Sequence, residues 1–401
     1  MRRIGACLPL RALLAALVAA PAAAACGSER PDAPPVSIRD SAGVEIVESR
    51  RPRGDSIAWR PASEPRLSVG AVGGDTAEVL SRVVGAVRLP DGRLVVADGG
   101  SNRLRFYGAD GRFLRSAGGE GGGPGEFQHL RTLRRCHPDS LYAFDLHWGL
   151  ELFDTAGRHV RTEAMDTDGT VGSPYHLTCS ADGAFLFSGW GREVAERRTG
   201  FYRTRSPLWL LPRGDTARRL GTWPGAERLG SERGSRPHPF GKRLVFELAP
   251  DRIYLGTGDR YEIRVLDRRG ELLRILRRPD VDLSLSDGRV QRYRERRLAE
   301  APASRRPDLR ERLRDENFPE TLPAFDRLVL DPAGRLWVRA FRGPGSERSR
   351  WSVFDTAGAW LGDVRTPRRF RVTEIGEDYL LGVRRGSLDV PRVELYPIRR
   401  P

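Results

Sequence analysis

A short unit of apolar strand, tight turn and second apolar strand recurs along most of this 401-residue chain. The clearest copy runs through residues 95–98 and 105–107 and ends in the glycine-rich run 118–125, and a second copy begins at residue 141. A unit of this length is too short to enclose a hydrophobic core of its own. It must therefore stack on copies of itself, so a single domain can use almost the whole chain.

The first turn of each unit gives the number of copies. It falls at residues 90–92, 138–140, 181–183, 250–252, 332–334 and 375–377, and an apolar strand follows each time. The first five units contain a later second turn, at residues 110–111, 156–157, 214–215, 269–270 and 357–358. This spacing is typical of antiparallel hairpins. The sequence therefore predicts six units, each a four-stranded antiparallel meander.

The two ends of the repeat array complement each other. The sixth unit lacks its second turn and is one strand short, whereas residues 67–69 form a strand that belongs to no unit. We expect the early strand to complete the last unit and close the array into a ring. Closure of this kind removes exposed strand edges, which otherwise promote aggregation.

Two segments depart from the repeat. The third unit contains a long loop, residues 190–202, and a tail, residues 223–242. Residues 280–322 contain no repeat, but Ser286 and Pro307 can each begin an arginine-rich helix. We interpret this helical insertion as a flap on one rim with solvated charges, and the alternative is a lid or partner-docking element.

Residues 95–98, 101–106, 110–111 and 123–127 together resemble the NHL-repeat pattern of β-propellers, in particular secreted and lipoprotein relatives from bacteria. The resemblance covers the chain after its N-terminal segment. It implies an all-β fold, a six-bladed β-propeller of four-stranded blades spanning residues 61–401 with a short helical insertion. Such relatives include binding scaffolds, lactonases and lyases, so the resemblance specifies fold far better than function.

The net charge of +15 is not evidence of nucleic-acid binding. Almost all of the basic residues are arginines, with Lys242 as the single lysine, and acidic residues are spread along the whole chain. Nucleic-acid binders instead concentrate basic residues on one face. We therefore expect no nucleic-acid partner.

The N-terminus has the features of a bacterial lipoprotein signal peptide. Arg2 and Arg3 precede an apolar stretch, residues 8–20, and small residues lead to Cys26. We predict a signal peptide over residues 1–25, lipidation of Cys26, and a tether with one strand over residues 26–60. Gly27 favours an outer-membrane lipoprotein. The alternative is ordinary cleavage, which would release a periplasmic or secreted protein; both place the chain outside the cytoplasm.

Two cysteines remain after the signal peptide and the lipidation site. Cys136 and Cys179 occupy matching places in neighbouring units, and equivalent strands of adjacent units lie side by side. In an oxidising compartment this favours a disulfide. The alternative is two buried thiols too far apart to bond.

No catalytic motif is present. The chain lacks a phosphate-binding loop, a nucleophile elbow and a metalloprotease helix, and its inner-strand positions are interpreted as mostly apolar. His129, His147 and His176 lie near unit entries, but they do not match in repeat position. We assign no catalytic residue, no metal ligand and no cofactor.

Aromatic and arginine side chains are common anchors of binding surfaces. The candidate ligand-binding residues lie where the second and third strands of each unit connect: Arg103, His147, Trp148, Trp190, Arg192, Arg260 and Tyr261. The sequence thus predicts a monomeric, lipid-anchored, non-catalytic scaffold for an unknown protein or small-molecule ligand. The alternative is a hydrolase or lyase, lactonase-like or amidating-lyase-like, with a divalent metal at the central channel.

Overall fold

The computed structural model describes residues 34–71, 78–145, 149–165, 171–191, 199–231, 234–386 and 389–400. From Pro35 onward these residues belong to one compact unit. The chain begins with four short strands: β1 (Val36–Ser41), β2 (Val44–Ser49), β3 (Arg60–Pro61) and β4 (Leu67–Val69).

The described residues then form six sheets, each built on strands that follow one another in sequence. Sheet 1 comprises β5 (Val83–Arg88), β6 (Leu94–Asp98), β7 (Arg103–Tyr107) and β8 (Phe113–Ala117). Sheet 2 comprises β9 (Leu130–His137), β10 (Ser140–Asp145), β11 (Gly149–Asp154) and β12 (His159–Ala164). Sheet 3 comprises β13 (Val171–Cys179), β14 (Phe185–Gly191), β15 (Gly200–Leu211), β16 (Arg218–Ser231) and β17 (Gly234–Pro237).

Sheets 4 to 6 follow the same antiparallel order. Sheet 4 comprises β18 (Val245–Leu248), β19 (Arg252–Gly256), β20 (Glu262–Asp267) and β21 (Leu272–Arg277). Sheet 5 comprises β22 (Phe325–Leu330), β23 (Leu336–Ala340), β24 (Arg350–Phe354) and β25 (Trp360–Arg365). Sheet 6 comprises β26 (Phe370–Ile375), β27 (Tyr379–Arg385) and β28 (Pro391–Arg399).

The first strands of the six sheets form a closed ring. Strand β5 contacts β9, β9 contacts β13, and the series continues through β18, β22 and β26 back to β5. Sheet 6 receives its outer strand from the N-terminus, because β28 pairs with β4, with Val393 opposite Val69. Strand β3 extends the same edge beside Ile398. These first strands are the inner strands of the ring, and they surround its central channel.

The hydrophobic core lies between neighbouring sheets. Successive residues of a strand face opposite sides, so Val95 packs toward sheet 2 while Val96 packs toward sheet 6. Both faces of each sheet are therefore covered by a neighbour. This explains why the second strand of each unit is an almost continuous apolar run rather than an alternating one.

A disulfide joins Cys136 of β9 to Cys179 of β13, whose Cα atoms are 5.4 Å apart. It is the pair suggested by the matching repeat positions. Because β9 and β13 are neighbouring inner strands, the bond ties together two walls of the channel.

The helical insertion leads from β21 to β22 and contains α1 (Asp287–Glu300), a single 3₁₀ turn and α2 (Arg306–Arg314). Tyr293 and Leu313 are buried against Phe240, which follows the extended hairpin of sheet 3. The centroids of the Phe240 and Tyr293 rings are 5.3 Å apart. The insertion is thus packed onto the end of the ring at which the inner strands begin.

Two segments are more ordered than the sequence indicated. The expected tail of the third unit is largely strand, because β16 continues its pairing with β15 as far as Gly230 and then turns into β17. The expected tether contains the β1–β2 hairpin, and β2 adds to the outer edge of sheet 4 in parallel with β21. Among the described residues, no helix has the length and apolar character needed to span a membrane.

Candidate functional site

The loops predicted to bind a ligand supply only part of the expected surface. Arg103 begins β7 and Arg260 lies between β19 and β20, and both are exposed. Arg260 lines a surface pocket of about 280 Å³ with Trp223 and Asp259. Trp190 belongs to β14. The other candidates lie outside the described residues: His147, Trp148, Arg192 and the lipidation site Cys26.

Tyr261 does not belong to an exposed surface, contrary to the prediction. Its side chain is buried between sheets 4 and 5, with its ring centroid 5.5 Å from that of Phe325. The guanidinium of Arg278 covers the ring at 5.1 Å. Burial raises the pKa of the Tyr261 hydroxyl. Tyr261 is therefore a core residue, placed there because β20 begins directly after the loop.

The inner strands carry the polar side chains that the sequence did not lead us to expect. Five of them carry ionisable groups, among them Arg134 on β9, His176 on β13, Glu247 on β18, Arg327 on β22 and Arg371 on β26. The expectation of mostly apolar inner positions is therefore wrong at these places. Long arginine stems can lie along an apolar strand while the guanidinium reaches a water-accessible channel.

These groups meet across the ring. Sheets 2 and 5 are separated by two sheets on either side, so Arg134 and Arg327 approach the channel from opposite walls. Burial lowers the pKa of Arg327 well below its ordinary value, and the charge of Arg134 is the next cause. The charges of the two guanidinium groups therefore interact across the ring. The channel is therefore the place where they converge.

Further arginines line the end of the channel at which the inner strands begin. Arg339 of β23 forms an ion pair with Asp326, with Nε 2.5 Å from Oδ1. Arg243 precedes β18, and its Nη2 is 4.0 Å from Oδ2 of the same Asp326. Arg342 follows β23 and donates its backbone N–H to Asp326. We call the whole set the arginine cluster: Arg134, Arg243, Arg327, Arg339, Arg342 and Arg371.

The cluster has more positive charge than the neighbouring carboxylates neutralise. Arg327 donates to the backbone carbonyl of Val372 at 2.5 Å, and Arg371 donates to that of Val83 at 2.7 Å. Both acceptors are uncharged carbonyls of the next inner strand. Within the described ranges, the Nε atom of Arg134 is buried without a hydrogen-bond partner. Of the six arginines in the cluster, only Arg339 and Arg243 lie within 4.0 Å of a described carboxylate.

The electrostatics of His176 and Glu247 follow from this excess. Burial and the adjacent charge of Arg134 lower the pKa of His176 to about 3, so its imidazole is neutral at ordinary pH. Burial raises the pKa of Glu247, although Arg134 and a hydrogen bond from Thr178 act in the opposite direction. The local site therefore stays strongly positive over the physiological pH range.

The site can bind an anion, since guanidinium groups are permanent cations with several N–H donors in a fixed plane. It is poorly suited to a metal ion, because arginine cannot act as a ligand and repels a cation. In the part of the chain that the structure describes, no group of three or more histidine, cysteine, aspartate or glutamate side chains is arranged to hold a metal.

No protein-family model matches this sequence, and no curated protein matches it. Solved structures do match the fold. A member of the DUF4221 family from Bacteroides vulgatus has a TM-score of 0.51 at 8% identity, over 86% of this chain and 100% of that one. A gluconolactonase from Xanthomonas campestris gives a TM-score of 0.43 at 15% identity, over 87% of this chain and 99% of that one.

A third match is virginiamycin B lyase from Staphylococcus aureus, with a TM-score of 0.40, 10% identity, and coverage of 84% of this chain and 99% of that one. These proteins are β-propellers. Together with the antiparallel sheets arranged around a ring, the match to the Bacteroides vulgatus structure defines this chain as a β-propeller. At such low identity the likeness concerns the fold alone.

Proposed function

We propose that the protein is a lipid-anchored, six-bladed β-propeller outside the cytoplasm, which acts as a monomeric, non-catalytic scaffold and binds its ligand at the central channel. One observation carries the binding role: five neighbouring inner strands of the closed ring bear ionisable side chains, and the arginines among them outnumber the described carboxylates nearby. Ligand pockets typically combine a concave site with a few convergent polar groups.

The six-bladed count rests on the sheets themselves. Each of the six sheets contributes an inner strand to one ring, and β4 supplies the missing outer strand of sheet 6. On this account the N-terminal strand closes the last blade. Joining the two ends of the chain in one sheet makes the ring mechanically continuous, which suits a rigid binding scaffold.

The lipid anchor depends on Cys26. Its context of small residues after a short apolar stretch is typical of a lipoprotein processing site. The test is membrane fractionation of cells that express the wild-type protein or a Cys26→Ser variant. We expect the variant to move to the soluble fraction. Its continued presence in the membrane fraction would show that another feature anchors the protein.

The alternative function is a metal-dependent hydrolase or lyase with its site at the channel. Arginines occupy that site, and they disfavour a divalent cation. The distinguishing experiment measures bound metal in the purified protein by mass spectrometry, together with turnover of a panel of lactones and esters. We expect neither stoichiometric metal nor turnover. Turnover that depends on an added divalent ion would contradict the scaffold function.

A further inference from the structure

We infer that the channel ligand is a compact oxyanion with at least two negative charges, held between Arg134, Arg327 and Arg371. This inference rests on the proposed function, because it names the chemical class of the ligand for that same site. It follows from the charge balance, the direction of approach of the arginines, and the donor geometry of the guanidinium group.

The charge balance sets the minimum charge of the ligand. Arg134, Arg327 and Arg371 have no described carboxylate within 4.0 Å, although each is partly buried. Glu247 is the acidic side chain whose charge acts on Arg327, whereas Asp326 on the same inner strand is already paired with Arg339. Even with Glu247 ionised, the three cations exceed the local negative charge by two. A buried charge without a partner is costly, so a dianion would complete the site.

The positions of the three arginines around the ring limit the size of the ligand. Arg134 comes from sheet 2, Arg327 from the opposite sheet 5, and Arg371 from sheet 6. Arg327 and Arg371 each reach the carbonyl of the next inner strand, so their guanidinium groups lie against the channel wall. A ligand that contacts all three must sit on the channel axis. A single small group with oxygens on several sides satisfies this condition, whereas an extended surface does not.

The guanidinium group favours an oxyanion over a simple halide. It presents parallel N–H donors that match two oxygens of a carboxylate or phosphate. A phosphate ester and a polycarboxylate share this chemistry, so the test includes one probe for each: pyrophosphate and citrate.

The experiment is isothermal titration calorimetry of the whole protein with pyrophosphate and with citrate, at constant ionic strength set by sodium chloride. The same titrations are run on Arg134→Met and on Arg112→Met. Arg112 is exposed on the turn between β7 and β8, so its replacement removes the same charge far from the channel. We expect saturable binding near one equivalent of at least one probe to the wild-type protein and to Arg112→Met.

We expect Arg134→Met to bind that probe at least about tenfold more weakly, since one buried charge partner is lost. Arg327→Met is the second variant and should weaken binding to a similar degree. Arg327→Lys keeps the charge but not the planar donor pair, and it should recover only part of the affinity. Circular dichroism of each variant verifies that the sheets are retained.

Three results would overturn the inference: no binding of either probe, equal affinity in all variants, or multiple weak sites that Arg112→Met reduces as much as Arg134→Met. None of them would by itself refute the scaffold function, which fails instead through metal-dependent turnover. Conversely, an enzyme whose turnover depends on Arg134 would keep the oxyanion site and refute the scaffold. The two proposals therefore fail in distinguishable ways.

Discussion

Two regions of this propeller bury arginine, and they do so in opposite ways. In sheet 1, Asp98 and Arg105 are 0% and 6% exposed and form an ion pair at 3.2 Å. Asp98 also accepts hydrogen bonds from the backbone N–H of Arg82 at 3.0 Å and from the Ser101 hydroxyl at 2.8 Å. In the channel, Arg134, Arg327 and Arg371 have no comparable carboxylate partner among the described residues.

We propose that this difference separates arginines that stabilise the fold from arginines that bind a ligand. Burial opposes ionisation of Asp98, but the hydrogen bonds of its neighbours outweigh that effect and its pKa is lowered. The carboxylate thus balances Arg105 within the folded chain. In the arginine cluster, burial and then the like charges of neighbouring arginines lower the pKa of Arg327 instead. A site whose charge the protein leaves unbalanced is a site for a ligand of the opposite charge.

The largest loss of stability should come from removing the carboxylate that pairs with Arg105 in sheet 1. Asp98→Ala leaves Arg105 buried without its partner and removes the acceptor of several loop hydrogen bonds. We expect the free energy of unfolding to fall by about 3–5 kcal/mol, measured by urea denaturation. The matched control is Asp110→Ala on the exposed turn of the same sheet, which should cost about 1 kcal/mol. Equal losses in both variants would contradict the distinction.

The disulfide should have the next largest effect. Cys136→Ser combined with Cys179→Ser opens a loop that spans 43 residues. We expect a loss of about 2–4 kcal/mol in the free energy of unfolding. The same strands carry Arg134 and His176, so the affinity of the channel for its oxyanion should fall as well. Stability that falls with no change in affinity would show that the bond does not position the channel.

The third largest effect should be on the pH dependence of the free energy of unfolding, which distinguishes the two regions. His176, with a folded pKa of about 3, remains neutral in the folded protein, while the unfolded chain binds a proton below about 6.5. Stability from this histidine is complete above the unfolded pKa and is lost as the pH falls toward 3. The contribution of Asp98 persists in this range, because its folded pKa is lowered.

The measurement is urea denaturation of wild-type protein and His176→Gln between pH 7.5 and 4.5. As the pH falls, the free energy of unfolding should decline less steeply in the variant than in the wild-type protein, by up to about 1.4 kcal/mol per pH unit. Above pH 7 the two proteins should show the same slope, which serves as the internal control. Parallel curves across the whole range would contradict the assignment of a neutral, half-buried His176.

The smallest expected effect is a gain in stability, whereas the other substitutions reduce it. Arg134→Met removes a partly buried charge whose Nε atom has no described partner. We expect the free energy of unfolding to rise by about 1 kcal/mol in the absence of ligand, because repulsion within the cluster is relieved. A loss of similar size would indicate that Arg134 stabilises the fold, as Arg105 does, and is not primarily a binding residue.

Much of the fold could be predicted from the sequence because its turns require particular residues. Gly111 has φ of +86°, and a Cβ atom at this position would meet Leu67 at 2.9 Å. The turn and the closing strand β4 are thus packed directly together. Glycine and aspartate recur at the turns of the clearest copies of the repeat. The spacing of these turns predicted the order of the strands.

The arginine cluster in the channel could not be predicted from local sequence in the same way. The chain contains 68 basic residues, and nothing local distinguishes Arg134 or Arg327 from the others. They become neighbours only when the ring closes and brings sheets 2 and 5 to opposite walls. One signal was present: charged residues interrupt the first strands, as Arg131 and Arg134 do in residues 130–134 and Asp326 and Arg327 do in residues 325–328. Tyr261 illustrates the converse, since a loop position by sequence proved to be core.

The most direct test of the central claim is a crystal structure of the protein grown with sodium tungstate, an oxyanion located by its anomalous scattering. We expect a strong peak in the channel, within hydrogen-bond distance of the guanidinium groups of Arg134 and Arg327, and its loss in Arg134→Met. A channel without a peak, in crystals that show tungstate only on the outer surface, would contradict an oxyanion site in the channel.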